Sequence, residues 1–290
     1  IFITAGLGGM SGAQPKAGVI AKGICIVAEI NPQATYKRHE QGWVDEVYKD
    51  LDKLLDRAIT ARTNKEALSI AYDGNIVDLW ERVVERNIHI EIGSDQTSLH
   101  NPWAGGYYPV GMSYDDANEM ISNDPDLFKK KVKESLLIHV EFINKHCERG
   151  TYFFDYGNAF LLEASKAGGN VFAEDGINFK FPSYVQDIMG PMCFDYGFGP
   201  FRWVCASNKQ EDLDKTDEIA CKVLENLMIN SPIETKLQMQ DNIDWIKSAK
   251  SNSLVVGSKA RILYADAIGR LEIAKAFNKA IAENKIGTII

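Results

Sequence analysis

Cysteine is scarce in this sequence, and no two cysteines stand close enough together to form a familiar metal or redox motif. The five are Cys25, Cys147, Cys193, Cys205 and Cys221, and no C-x-x-C pair occurs among them. This spacing predicts neither a zinc site nor a disulfide framework, so we expect no metal. An odd, widely spaced set of thiols is typical of a reducing compartment, which favours a cytoplasmic location.

Long apolar runs and basic clusters are also missing. Stretches such as residues 24–28 are far shorter than the roughly 20 residues that cross a membrane, so we expect no membrane association. The net charge is -8 and the largest basic run is residues 129–131, which excludes an extended nucleic-acid surface. With 290 residues, 45% hydrophobic and 25% charged, the composition indicates a globular protein of one large or two ordinary domains.

A glycine-rich turn near the start of the chain carries the first functional signal. Residues 6–15 read GLGGMSGAQP, between an apolar segment and a segment that can continue as a helix. Strand, glycine turn and helix is the order of a nucleotide-binding βαβ unit. Gly6 would allow the tight turn, while Gly8 and Gly9 would bring backbone N–H groups to a pyrophosphate. Gly12 would let the helix pack against the strand.

An acidic residue after the second strand strengthens this interpretation. Residues 23–28 predict a buried parallel strand that ends at Glu29, about twenty residues beyond the glycine turn. A carboxylate at this position accepts hydrogen bonds from the adenosine ribose. The two features together predict a dinucleotide cofactor and favour NAD over NADP.

Strands and helices continue to alternate along the chain. Further strands are predicted at residues 67–72, 88–92 and 152–154, with helices at 44–58, 76–84, 124–148 and 159–167. Residues 31–40 are predicted only as a polar stretch. The alternation predicts an α/β fold with a doubly wound parallel (Rossmann-like) sheet, whose ligands lie at the carboxyl ends of the strands. His139 and His146, on the long helix, are predicted to be packing or surface residues.

The loop after the fourth strand is rich in both polar and aromatic groups. Residues 95–109 read DQTSLHNPWAGGYYP. Polar groups at this density are costly to bury unpaired, so they either face water or hold a polar ligand. Because Trp103, Tyr107 and Tyr108 are unusual in a merely solvated loop, we expect contact with a cofactor or substrate.

The pattern changes in the last third of the chain, and we expect two domains. Residues 1–181 are predicted to form an NAD-binding Rossmann-like domain, and residues 182–290 part of a second α/β core domain. In the second, the sequence predicts helices at 216–228, 241–249 and 269–282 and strands at 253–256 and 261–264.

Arg202 is the candidate substrate-binding residue of the second domain. It stands in the segment GFGPFRW, between a proline-aromatic turn and Trp203, where we expect its guanidinium to be held in place. A planar guanidinium binds a carboxylate through two parallel hydrogen bonds. A buried arginine that closes a structural ion pair is an equally open interpretation of this position.

The motifs GLGGMSGAQP, DQTSLH, FDYGN and GFGPFRWV, followed by ARILY, stand in this order along the chain. Together they closely resemble the urocanase (urocanate hydratase) family over essentially the whole chain, and its eukaryotic-type branch in particular. The resemblance implies addition of water to urocanate to give imidazolone propionate, a step of histidine degradation. It implies a tightly bound NAD that acts as an electrophile and undergoes no net hydride transfer. It also implies a homodimer and a longer protein, of which a chain that starts without methionine inside a strand is expected to be a piece.

The resemblance assigns roles position by position. The pyrophosphate would be held by Gly9, Met10 and Ser11, and the adenosine ribose by Glu29. The rest of the cofactor would be surrounded by Asn75, Ile76, Gln96, Thr97, Ser98, Leu99, His100, Tyr107, Tyr108 and Tyr156. Arg202 matches the family arginine that binds the urocanate carboxylate, and is the expected catalytic residue.

Three positions depart from the family pattern. Leu263 stands where bacterial members have a cysteine regarded as an active-site residue. Ala34 stands where they have an arginine, for which Lys37 or Arg38 are the possible substitutes. The family's catalytic aspartate lies in a segment beyond the end of this chain.

Two other functions share part of this pattern. An NAD-dependent dehydrogenase would have the glycine turn and Glu29, but it gives no reason for DQTSLH, FDYGN and GPFRW. A non-catalytic NAD-binding module would have no need of an arginine that binds a carboxylate.

Overall fold

The computed structural model describes residues 1–9, 11–252, 254 and 258–290. Within this part, the chain divides into two compact units, Ile1–Val185 and Gln186–Ile290. The division lies four residues after the predicted boundary at 181, and the assignment of functions to the two domains stays a prediction.

The first unit is built on a parallel sheet. Its strands in the described residues are β1 (Phe2–Ala5), β2 (Ile24–Glu29), β3 (Glu46–Tyr48), β4 (Leu68–Asp73), β5 (Ile92–Asp95) and β6 (Tyr152–Asp155). They lie in the order β3-β4-β2-β1-β5-β6, and every neighbouring pair is parallel. The predicted α/β, doubly wound fold is therefore confirmed.

Helices connect these strands and cover the sheet. They are α1 (Gln14–Ile20), α2 (Pro32–Glu40), α3 (Leu51–Asn64), α4 (Ile76–Glu85), α5 (Tyr114–Asn123), α6 (Pro125–Cys147) and α7 (Phe160–Ala167). The central strands β2 and β4 are buried over five successive residues each, as expected for parallel strands with both faces covered. Trp80 of α4 packs against His146 of α6 and Phe153 of β6, at ring-centroid distances of 5.0 and 6.4 Å. His139 and His146 are both buried, in agreement with the predicted packing role.

The helix predicted over residues 44–58 is wrong at its start. Residues Glu46–Tyr48 form β3 at the edge of the sheet, and α3 begins only at Leu51. The helix starts there because the Asp50 side chain accepts a hydrogen bond from the Lys53 N–H at 3.1 Å, which caps the first turn. Residues 31–40, predicted only as a polar stretch, form α2, which Asn31 caps through the Gln33 N–H at 3.0 Å.

The strand predicted at residues 88–92 is displaced along the chain. Ile88 and Ile90 are buried, but the Ile88 N–H donates to the Val83 carbonyl at the end of α4. Pairing in the sheet begins at Ile92, which lies beside Phe2 of β1. Ile88 and Ile90 therefore belong to the core without pairing in the sheet, whereas Ile92 joins the sheet with an exposed side chain.

The second unit combines helices with a two-stranded antiparallel sheet. Its elements in the described residues include α8 (Gly190–Met192), β7 (Gly199–Val204), α9 (Gln210–Met228), α10 (Ile233–Ser248), β8 (Ala260–Ala265) and α11 (Ala267–Ala282). Its core contains Trp203, whose indole N–H donates to Thr216 Oγ1 at 2.9 Å. Helices α9 and α10 both begin earlier than predicted. The predicted strand at residues 253–256 lies, apart from Leu254, outside the described residues.

All five cysteines are free thiols, and four of them are buried. Burial raises the pKa of Cys25 to about 12 and those of Cys147 and Cys221 to about 11, so these thiols are protonated at neutral pH. In the described part of the chain no three His, Cys, Asp or Glu side chains group as a metal site would require. None of the helices described there is long and apolar enough to span a bilayer.

Candidate functional site

A cavity of about 610 Å³ lies in the first unit at the carboxyl ends of the strands. Strand β1 lies between β2 and β5, where the strand order reverses its direction, and such a switch point leaves a crevice. Among the predicted residues, the cavity wall contains Gly9, Ser11, Glu29, Asn75, Ile76, Gln96, Thr97, Ser98, His100, Tyr107, Tyr108 and Tyr156. Met10 lies outside the described residues, and Leu99 is buried in the hydrophobic core rather than on the wall.

The glycine turn after β1 is closed by backbone and side-chain hydrogen bonds. Gly6 has a φ of 92°, and its N–H donates to the Ala28 carbonyl of β2 at 2.9 Å. A Cβ at Gly6 would lie 2.9 Å from Ser11 Oγ, so both the conformation and the space require glycine. Ser11 Oγ in turn accepts the Gly8 N–H at 3.0 Å. At Gly9 a Cβ would meet no described atom within 4 Å, which leaves room for a ligand against the backbone.

Two other glycines, Gly12 and Gly18, each leave space for a neighbouring side chain. A Cβ at Gly12 would lie 2.3 Å from Nε of Arg38, so this glycine makes room for a guanidinium. A Cβ at Gly18 would lie 2.6 Å from the Cβ of Cys25. At Gly18 the helix α1 therefore approaches Cys25 of β2, whereas the predicted packing role of Gly12 stays a prediction.

Glu29 ends β2 and joins the glycine turn to the start of α2. Its Oε2 accepts the Leu7 N–H at 2.7 Å, and its Oε1 accepts the Asn31 N–H at 2.9 Å. Burial raises the pKa of Glu29, although these backbone N–H groups oppose the rise. Each carboxylate oxygen keeps a further lone pair, so Glu29 can still accept hydrogen bonds from ligand hydroxyl groups.

Asn75 connects the end of β4 to the loop on the other side of the cavity. Its Oδ1 accepts the Val77 N–H at 2.9 Å and caps α4, whose first residue is Ile76. Its Nδ2 donates to the Tyr108 carbonyl at 2.9 Å. One side chain therefore places a helix N-terminus and the aromatic part of the loop beside the same cavity.

Asp95 ties together the loops that carry the DQTSLH and FDYGN motifs. Its Oδ1 accepts the N–H and the hydroxyl of Thr97, at 3.0 and 2.5 Å, and Nδ2 of Asn158 at 3.0 Å. Asp95 is 1% exposed, and burial raises its pKa to about 6, with a smaller contribution from Asp155, which pairs with it on β6. The two motifs are thus fixed to one another by a carboxylate beneath the cavity wall.

Gly106 lies where two parts of the loop at residues 95–109 come into backbone contact. The Ser98 N–H donates to the Gly106 carbonyl at 3.0 Å. A Cβ at Gly106 would lie 2.0 Å from the Ser98 carbonyl oxygen and 2.6 Å from that of Asn101. Because both obstacles are backbone atoms, no side chain fits without moving the loop.

Aromatic side chains form one wall of the cavity. Tyr107 is 1% exposed, and its hydroxyl is 3.2 Å from Nδ1 of the buried His139. Burial lowers the pKa of His139 to about 3 and raises that of Tyr107, so both are neutral at physiological pH. Tyr108 packs on Tyr114 at a centroid distance of 5.2 Å and donates to Asn118 Oδ1 at 3.1 Å. Burial, with Tyr114 beside it, raises the pKa of Tyr108 to about 12.

Several wall residues were missed from the sequence, among them Asn31, Tyr114 and Asn158. A signal for Tyr114 was present, because Ser113 and Asp116 form a capping pair in which the Asp116 N–H donates to Ser113 Oγ at 3.1 Å. This pair would have placed a helix start directly after the polar loop.

Gln96 leaves a buried acceptor in the cavity wall. Its Oε1 has no hydrogen-bond partner among the described residues. A buried acceptor without a partner costs about 1–3 kcal/mol, which a ligand with a suitably placed donor would offset. Together with the open face of Gly9 and the acceptors of Glu29, this atom makes the wall suitable for a dinucleotide.

Arg202 lies in the second unit, on β7 opposite Ile262 of β8. Its side chain is exposed and takes part in no ion pair of the described residues, so the expectation that it is held in place is not met there. The buried structural ion pair joins Arg261 of the neighbouring strand to Asp217, with Nε donating to Oδ1 at 2.9 Å. Leu263, at the family's cysteine position, is buried in the core of this unit.

Comparison with known proteins assigns the whole chain to one family. Residues 1–188 match the urocanase Rossmann-like domain, and residues 191–290 match the urocanase C-terminal domain. The chain is 51% identical over 295 residues to a probable urocanate hydratase of Caenorhabditis elegans, covering 100% of this chain and 44% of that protein. It is 52% identical over 291 residues to a probable urocanate hydratase of Dictyostelium discoideum (99% of this chain, 43% of that protein) and 50% identical over 295 residues to urocanate hydratase of Mus musculus (99% and 43%). The chain thus spans somewhat under half the length of these curated relatives, and it belongs to the urocanase family.

Proposed function

We propose that this chain forms the NAD-binding part and some of the substrate-binding part of a urocanate hydratase. The reaction is addition of water to urocanate to give imidazolone propionate. The observation that carries the proposal is the cavity at the switch point, where Gly9, Glu29 and Gln96 present N–H, carboxylate and amide groups on one wall. The relatives named as urocanate hydratases are similar over the whole of this chain, which supports the same activity.

Three parts of the wall would hold the cofactor. The N–H group of Gly9 suits the pyrophosphate, while that of Gly8 donates to Ser11 Oγ and holds the turn in shape. Glu29 suits the ribose hydroxyls, and its negative charge disfavours the additional phosphate of NADP. The unpartnered Oε1 of Gln96 would accept a hydrogen bond from the bound ligand. Bound NAD would supply an electrophile, its oxidised nicotinamide ring, with no net hydride transfer.

The remaining groups orient and protect the site. Asp95 holds the two polar loops in one arrangement through Thr97 and Asn158. Tyr107 and Tyr108 are uncharged at neutral pH and shape the wall, with their hydroxyl groups held against His139 and Asn118. Arg202 would bind the urocanate carboxylate through two parallel hydrogen bonds. We further propose that the whole protein is a cytoplasmic homodimer.

The first test mixes the full-length protein, with the NAD that it retains, with urocanate. The absorbances of urocanate and of reduced nicotinamide are followed together. Loss of urocanate without accumulation of NADH supports the hydratase. Unchanged urocanate contradicts it and favours a non-catalytic NAD-binding module, whereas NADH formed with another substrate indicates a dehydrogenase.

A further inference from the structure

Arg38 binds the backbone of the glycine turn through its guanidinium. Its Nε donates to the Leu7 carbonyl at 3.1 Å, and its Nη2 donates to the Gly8 carbonyl at 2.5 Å. Its Nη1 donates to Oε1 of Gln41 at 2.8 Å, which fixes the guanidinium from α2. Hydrogen bonds from a charged donor are about twice as strong as neutral ones, so these two carbonyls have a well-defined direction.

Fixing a carbonyl also fixes the next N–H group. In a trans peptide the C=O of one residue and the N–H of the next lie in one plane and point in opposite directions. By holding the carbonyls of Leu7 and Gly8, Arg38 therefore directs the N–H groups of Gly8 and Gly9 away from itself. The Gly8 N–H donates to Ser11 Oγ within the turn, so of the two it is the Gly9 N–H that can face a ligand. Both glycines line the cavity, whereas Arg38 is not part of its wall.

The surroundings of Arg38 leave its guanidinium little freedom. It fills the space that a Cβ of Gly12 would take, with Nε, Cζ and Nη2 within 2.3 to 2.9 Å of that position. On another side it lies 5.5 Å from the ring centroid of Trp43. A glycine-rich turn has many accessible conformations, and a group that selects one of them in advance lowers the cost of binding an anion there.

We propose that Arg38 is a positioning residue for the cofactor: it binds two carbonyls of the glycine turn, and by holding the Gly8 carbonyl it directs the Gly9 N–H toward the pyrophosphate. This inference rests on the proposed binding of NAD. Bacterial members have an arginine where this chain has Ala34. Because the guanidinium of Arg38 already binds the backbone of the glycine turn, we infer that Arg38 does not substitute for that arginine.

The test measures binding of NAD, ADP and adenosine to the full-length protein by calorimetry after removal of bound cofactor. Arg38→Met removes the hydrogen bonds, and Lys37→Met is the matched control, because it removes an exposed charge from the same helix. We expect Arg38→Met to weaken NAD and ADP binding at least about tenfold, with adenosine changed less than about threefold. Lys37→Met should leave all three unchanged, and Arg38→Lys, which keeps the charge but cannot bind both carbonyls, should not restore NAD affinity.

Several outcomes overturn the proposal. Unchanged ADP affinity in Arg38→Met, an equal loss for adenosine, or full rescue by Arg38→Lys would each show that Arg38 does not act through the turn. If Arg38→Met does not fold, Gly12→Ala displaces the guanidinium with every charge kept and should produce the same selective loss. If the wild-type protein bound no NAD, the proposed function itself would be refuted. That result differs from one in which wild type binds NAD and only the Arg38 variants behave unexpectedly, which would refute the role of Arg38 alone.

Discussion

At the scale of single residues, Asp95 combines a structural role with a cost in stability. Its carboxyl group gathers three hydrogen bonds on one oxygen, while Oδ2 is buried without a partner among the described residues. Asp95 is therefore favourable as an acceptor and unfavourable as a buried charge. The balance between the two depends on pH.

We predict that Asp95→Asn removes a pH-dependent loss of stability. The folded-state pKa, about 6, lies above the ordinary 3.8, so protonation stabilises the folded protein below about pH 4 and this contribution is lost as the pH rises through 6. The difference corresponds to about 3 kcal/mol. Urea unfolding from about pH 4 to about pH 7 should show the free energy of unfolding of wild type falling relative to the variant by most of this amount. A constant difference, or the same change in the exposed control Asp115→Asn, would contradict the assignment.

Arg202 and Arg261 lie on neighbouring strands and are predicted to differ in what they affect. Arg202→Ala should weaken binding of urocanate by about 2–5 kcal/mol while NAD stays bound, because a carboxylate loses its bidentate partner. Arg261→Ala should instead lower the free energy of unfolding, by about 3–5 kcal/mol, because it leaves Asp217 half-buried and unpaired. Steady-state KM, NAD content and urea unfolding separate the two. Loss of NAD from Arg202→Ala would mean that our placement of this residue is wrong.

At the scale of elements, substitutions at two glycines of the site are predicted to differ in their effect on stability while both weaken NAD binding. Gly106→Ala forces its Cβ against backbone oxygens, so both stability and NAD binding should fall, stability by at least about 2 kcal/mol. Gly9→Ala meets no described atom, so it should leave the melting temperature unchanged and yet weaken NAD binding by crowding the pyrophosphate. Thermal unfolding of both variants without cofactor, followed by NAD titration, is the measurement. Normal NAD affinity in Gly9→Ala would argue against a pyrophosphate at this turn.

The sequence predicted an element well where its hydrophobic pattern fits only one type of secondary structure. Strands β2 and β4 are buried on both faces, so their apolar runs indicate them directly. Strand β3 was missed because its three residues are half-buried at the sheet edge, and the pattern of Val44 and Val47 also fits the helix that follows. At Ile88 and Ile90 the alternation reflects burial in the core without strand pairing, and a single sequence cannot distinguish the two.

The candidate site was predictable where polar residues follow strands. Asn75, Gln96 and Tyr156 lie within two residues of strand ends, and topology alone brings such positions together. Leu99 was included only because it stands inside a polar motif, although an apolar side chain in such a loop has reason to turn into the core. The contacts of Arg38 and Asp95 with backbone and side chains far along the chain could not be derived, because they depend on how the loops fold over one another.

At the scale of the whole molecule, the described residues that line the cavity belong to the first compact unit. We predict that residues 1–185, expressed alone, fold and bind ADP with an affinity within about tenfold of that of the whole protein. The same fragment should not convert urocanate, because Arg202 is outside it. Circular dichroism and ADP titration check this. A folded fragment without affinity for ADP would show that other parts of the protein complete the adenosine-pyrophosphate site.

The buried cysteines allow transient opening of the structure to be measured separately in each compact unit. A protonated thiol enclosed in a core reacts with an alkylating reagent only while the surrounding structure is transiently open. Cys25 lies in the first unit and Cys205 and Cys221 in the second, so mass spectrometry after timed alkylation would give a separate opening rate for each. A ligand that binds the first unit alone should slow the labelling of Cys25 and leave the labelling of Cys205 and Cys221 unchanged. The labelling rates of these unreactive side chains would then show which unit a ligand stabilises.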